Sequence, residues 1–188
     1  MPGRVESASE EDLCVSVTDD LLKNNESYAN AFKGGLPMPP AKKVAVVACM
    51  DARLHVSAIL GLKEGDAHVI RNAGGVVSQD VIRSLTISQR LLGTEEIILL
   101  HHTDCGMLTF KDDDLRSKIE DETGLRPGFA FDAFSDRQKD PRSSVGRIKS
   151  SPVIPTKANI PRFALDLPTG SLTQPQRQPA SHTSRRYH

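Results

Sequence analysis

The chain has 188 residues, of which 24 are Lys or Arg and 24 are Asp or Glu, so its formal net charge is zero. That balance argues against a polyanion-binding surface, and the lack of Trp beside 2 Tyr and 6 Phe argues against an aromatic platform for stacked bases. No apolar run approaches the roughly 18 residues of a membrane-spanning helix, and the length suits one core-bearing domain.

In chain order, the start "MPGRVESASEEDL" is acidic and lacks the apolar stretch of a secretory signal. A cytoplasmic location is therefore expected, where Cys14, Cys49 and Cys105 stay reduced and are better read as free, metal-bound or catalytic than as disulfides. Residues 9–33 read as a helix, capped by Ser9 with Glu10, Glu11 and Asp12 at its positive end. "GGLPMPP" at 34–40 breaks it. "KVAVVAC" at 43–49 is a short Val-rich run, the pattern of a strand buried on both faces. "HVSAILGL" predicts a short helix, and "AHVIRNAGG" a second strand ending in a glycine loop. Ser78 caps a helix to about Leu92, with Gly93 just past its end. "EEIILLHH" is a third buried strand.

Strand, helix, strand, helix, strand implies a parallel sheet with right-handed crossovers. Residues 111–135 are charged and read as a loop or short helix. "DPRSSVGRIKSSPVIP" predicts a helix begun by Asp140 and Pro141 and stopped before Pro152. "RFALDLPTGSLT" at 162–173 predicts an edge strand or hairpin about a PTG turn. The expected fold is α/β: a mostly parallel central sheet flanked by helices, with an added C-terminal edge strand. Residues 1–173 form the expected domain, and 174–188 a disordered tail without core-forming residues.

The chemistry gathers at strand ends. Cys49 closes the first strand, His102 closes the third, and Cys105 follows in the next turn. In open parallel sheets, ligands bind beyond the carboxyl ends of the strands. Two thiolates and an imidazole suit Zn²⁺, and three protein ligands leave a position for water, as in catalytic sites. In "CMDAR", residues 49, 51 and 53 point the same way if the backbone stays extended. Asp51 then accepts a hydrogen bond from water on the ion or ligates it, and Arg53 holds Asp51 away through a charge-assisted pair. Gly106 lets the backbone approach closely. Gly74 and Gly75 are candidates to line the pocket with N–H groups. His101 should point away from His102, to the surface or a hydrogen-bonding partner.

These blocks, "ACMDARL", "VIRNAGG" and "HHTDCGM", resemble in order and spacing the zinc motifs of the β-class carbonic anhydrases. Similarity runs over residues 10–173, with "SPVIP" and "LPTGSL" echoing the family's C-terminal part. The resemblance implies one zinc per subunit on Cys49, His102 and Cys105, with Asp51 and Arg53 as the catalytic dyad. It implies a homodimer or dimer-based oligomer whose N-terminal helix, 9–33, lies over the partner. The expected reaction is reversible hydration of CO2 to bicarbonate and a proton by attack of zinc-bound hydroxide. His55, His68 and His101 are the imidazoles available to shuttle the proton, with buffer as the alternative. The aromatic and Gln residues that frame the pocket in plant-type members are not evident, and the short "CMDARL…HHTDCGM" version resembles a compact subgroup that also includes carbonyl sulfide hydrolases. Pro141, where the family tends to an apolar residue, should shorten or shift its helix. The rivals are a carbonyl sulfide hydrolase with the same zinc site, a non-catalytic zinc-binding protein, and a thiol redox protein, which would lack its C-x-x-C. A small-molecule substrate is expected, with neither nucleic acid nor membrane as partner.

Overall fold

The apolar runs become strands. In the computed structural model, which describes residues 16–134 and 139–174, they are β1 (Val44–Cys49), β2 (Ala67–Asn72), β3 (Glu96–His102) and β4 (Arg162–Leu165), with a short β5 (Leu172–Thr173). The helices are α1 (Val17–Ala31), α2 (Val56–Leu60), α3 (Gln79–Arg90), α4 (Asp112–Thr123) and α5 (Lys139–Ser150). Strand order is β2-β1-β3-β4-β5; the first four run parallel, and β5 returns antiparallel to β4 across the predicted PTG turn. This is the expected α/β sheet with its added C-terminal edge.

Alternation along β1 builds two cores. Ala45 and Val47 pack with Val81 and Leu85 of α3 and Ile148 of α5. Val46 and Ala48 pack with Leu54, Val56, Leu100 and Met107 on the other face. Because both faces are covered, β1 is apolar throughout, and all its residues from Ala45 to Cys49 are buried.

The described residues fall into two units, divided between Leu36 and Pro37. The first holds α1, which starts later than expected. Ser16 caps it, accepting from the Asp19 N–H at 3.2 Å while Asp19 accepts from the Ser16 N–H at 3.0 Å. Ser9 and its acidic neighbours, like Cys14, lie outside the described residues, as do residues 175–188 of the expected tail. None of the helix's residues is buried; Val17, Leu21, Leu22 and Tyr28 are exposed.

In the second unit, Ser78 caps α3 as expected, although the helix ends at Arg90 and Gly93 sits two residues past the Leu91 cap at φ +71°. Residues 112–123 settle the loop-or-helix choice as a three-turn helix. Three Asp residues occupy its first turn, and Gly124 ends it at φ +74°. Pro141 lies in the first turn of α5, where a missing N–H costs no helical bond. No described helix is long and apolar enough to cross a membrane.

Candidate metal centre

Parallel pairing sets Ala48 opposite Leu100, so β1 and β3 leave the sheet side by side at Cys49 and His102. The turn after β3 then brings Cys105 back. Ligand atoms of Cys49, His102 and Cys105 all lie within 4.8 Å of one another, and the two sulfurs are 4.0 Å apart. All three residues are buried. His102 Nδ1 lies 2.8 Å from the Thr103 carbonyl; donating there fixes the tautomer. In the neutral ring that leaves Nε2 as the bare nitrogen, buried and without a hydrogen-bond partner. A buried bare lone pair beside two sulfurs is what a borderline-soft cation satisfies, so the donor set fits zinc.

Electrostatics prepare the thiols. Cys105 hydrogen-bonds to the Cys49 sulfur, which pushes Cys49 down, against burial, with help from His102 and the Asp51 and Gly74 N–H groups. The same contact pushes Cys105 up, and burial adds to it. Burial works to lower His102, but the nearby Cys49 sulfur, the Thr103 carbonyl and Asp51 outweigh it and the net shift is upward.

The path from Cys49 to Arg53 differs from expectation. Strand β1 stops at Cys49, and residues 51–54 turn, with the Leu54 N–H donating to the Asp51 carbonyl at 3.0 Å. Alternation therefore does not aim Arg53; its own reach does. Arg53 Nε donates to Asp51 Oδ1 at 2.9 Å and Nη2 to Oδ2 at 2.7 Å, and its backbone N–H also donates to Oδ1. This grip holds the Asp51 carboxyl well below the usual carboxylate range. Asp51 Oδ2 lies 3.8 Å from His102 Nε2, so the clamped carboxylate borders the ligand set.

The glycines divide. Gly75, at φ +66°, presses on β1, where an added Cβ would fall 2.9 Å from the Ala48 carbonyl carbon and the Cys49 nitrogen. Gly74, at φ +78°, lies under the Phe134 ring and Met107. At Gly106 a Cβ would meet nothing within 4 Å, so the close approach expected there does not occur. Of the two settings expected for His101, the surface is the wrong one: the residue is buried, its Nε2 has no hydrogen-bond partner, and burial pushes it down to about 4 although the Gly74 backbone works the other way. The Phe134 ring covers it edge-on at 6.4 Å.

Two further residues went unread in the sequence. Arg71, inside "VIRNAGG", donates from Nε to the Cys49 carbonyl at 3.0 Å and from Nη2 to the Asp51 carbonyl at 2.7 Å. Asp104, inside "HHTDCGM", accepts from Arg53 Nη1 at 2.9 Å. Each is a charged residue within a motif otherwise read for its ligands and glycines, and that position was the available signal.

Residues 44–126 match the family profile described as carbonic anhydrase. The chain is 59% identical over 160 residues to Beta-carbonic anhydrase 1 of Mycobacterium tuberculosis, covering 85% of this chain and 98% of that protein. It is also 30% identical over 194 residues to the carbon disulfide hydrolase of Saccharolobus solfataricus, covering 90% and 94% respectively. Among solved structures, the carbonic anhydrase of Streptococcus mutans matches with a TM-score of 0.80 at 41% identity, covering 85% of this chain and 97% of that one. The motifs, the fold and this kinship over nearly the full length of the relatives agree, and the chain belongs to the β-class carbonic anhydrase family.

Proposed function

We propose that this chain is a zinc-dependent carbonate dehydratase, hydrating CO2 reversibly to bicarbonate and a proton. The observation that carries the reading is the bare Nε2 of His102, buried beside two sulfurs and 3.8 Å from a carboxylate that Arg53 keeps ionised. Cys49, His102 and Cys105 would hold one zinc ion per subunit. When bound, zinc supplies Lewis acidity that lowers the pKa of water from about 15.7 to about 7.

Asp51 and Arg53 do the positioning. Both carboxylate oxygens of Asp51 are engaged by Arg53, so the side chain has one direction and stays an acceptor. It accepts a hydrogen bond from the reacting water and turns the remaining lone pair toward the carbon of CO2. Gly74 and Gly75 shape the pocket wall beside Cys49, and the Gly74 N–H stabilises that thiolate. The product proton passes to buffer.

Stopped-flow CO2 hydration by the zinc-loaded chain tests the reading: rapid turnover supports it, and none above the uncatalysed rate rejects it. The carbon disulfide hydrolase relative supports a second reading, in which the same site attacks the carbon of carbonyl sulfide or carbon disulfide. Side-by-side assays separate them, since release of hydrogen sulfide that outpaces CO2 hydration would favour the second. We further propose a cytoplasmic homodimer with α1 over the partner subunit. The exposed Val17, Leu21, Leu22 and Tyr28 support that packing, and light scattering at the monomer mass would reject the dimer.

A further inference from the structure

Arg53 makes more contacts than its clamp on Asp51 requires. Nη1 donates to Asp104 Oδ2 at 2.9 Å, and Nη2 donates to the Asp104 backbone carbonyl at 3.0 Å. One residue thus presents two acceptors to the outer edge of the guanidinium, while Asp51 takes the inner edge. Asp104 stands at φ +53°, the left-handed region that L-residues seldom enter and that Asp tolerates better than most. There its carbonyl and its carboxylate face the same cation.

The placement has a consequence for Asp51. Asp104 sits between His102 and Cys105, so the turn that supplies two ligands also supplies the anchor for Arg53. Arg71 pins the carbonyls of Cys49 and Asp51, which fixes the main chain. The direction of the Asp51 carboxylate is then set through Arg53. Held by Asp51 alone, Arg53 would swing together with it, because the two are only two residues apart. Held also by Asp104, 51 residues away in sequence, it has a second fixed point.

We infer that Asp104 is a positioning residue: it anchors Arg53 so that Asp51 points at the reacting water. The inference rests on the carbonate dehydratase reading given above. Stability is not its main contribution. Asp104 is 80% exposed and Arg53 51%, and exposed ion pairs add little to folding. What two charge-assisted contacts on one planar fork provide is orientation.

The test uses the zinc-loaded full chain with Asp104→Gly, which keeps the left-handed backbone and removes the carboxylate, and Asp104→Asn, which keeps the side chain's shape. Zinc content, melting temperature, kcat and KM are measured. The Arg53 Nε–H resonance is followed by NMR in the metal-free and zinc-loaded protein. For Asp104→Gly the expectation is unchanged zinc and melting temperature, and kcat lower by about three- to tenfold at nearly constant KM. The Arg53 Nε–H signal should lose its dispersed position, and Asn should recover part of both effects. Wild-type kcat with an unmoved Arg53 signal would overturn the inference. Loss of zinc or of fold in both variants would overturn it too, assigning Asp104 to structure. The Arg53 signal needs no substrate, so a wild-type chain inactive toward CO2 would defeat the proposed reaction separately from the Asp104–Arg53 anchor.

Discussion

Asp51 and Gly75 show how one residue can matter through chemistry or through space. Asp51 is gripped on both oxygens yet lies 3.8 Å from His102 Nε2, so in the proposed reaction its contribution is charge and direction. Asp51→Asn should leave zinc bound and reduce CO2 turnover by about a hundredfold or more, the scale of a lost positioned acceptor; stopped-flow rates and metal analysis check this together. Gly75 has no such chemistry. Its positive φ and the 2.9 Å approach to the β1 backbone leave no place for a methyl group. Gly75→Ala should cost about 2–4 kcal/mol of stability, from backbone strain and overpacking combined, read as a lower urea midpoint. Both residues lie in motifs legible from sequence, but the sequence did not say which glycine was sterically required. That distinction depends on how closely each one approaches β1, and Gly106 proved to face open space.

At the scale of elements, apolar patterning carried far. The buried strands and α3 followed from runs and stripes that pack on both faces of the sheet. Helix α4 did not, because none of its residues is buried and an unburied helix has no apolar stripe to read. Its role runs through Asp112, whose carboxylate accepts the N–H groups of Phe131, Asp132 and Ala133 at 2.8–3.2 Å. The loop so held lets the Phe134 N–H donate to the Met107 carbonyl at 2.8 Å and lays its ring over Gly74 and His101. That is why His101 is buried, and no local pattern announces a lid that comes from some thirty residues away.

The same N–H groups, that of Ala133 foremost, hold the Asp112 carboxyl below its usual range. A depressed folded-state pKa stabilises the protein above the unfolded value of about 3.9 and is lost as pH falls through the folded value. Asp112→Ala should therefore lower stability by about 1–3 kcal/mol at neutral pH. Its deficit should shrink as acid protonates the wild-type carboxyl, as urea titrations across pH 7 to 3 would register.

For the whole molecule, the site exists because sheet order makes β1 and β3 neighbours, so residues more than fifty positions apart end together. That convergence was legible from the rule for open parallel sheets. The Arg53–Asp104 contact was not, since it depends on one left-handed residue and on a turn where extended backbone was expected. Binding to the folded state alone stabilises by about 2.7 kcal/mol when free ion is a hundredfold above Kd. Chelation should thus lower the melting temperature by roughly 5–10 °C. Cys105→Ser should melt at the same temperature with and without chelator.

Cys49, His102 and Cys105 should together hold zinc. X-ray absorption at the zinc edge of the purified chain tests this most directly. The expected result is one zinc per subunit with two sulfurs at about 2.3 Å and a nitrogen at about 2.0–2.1 Å. Protein free of zinc after purification without chelator, or a zinc shell lacking sulfur, would contradict it.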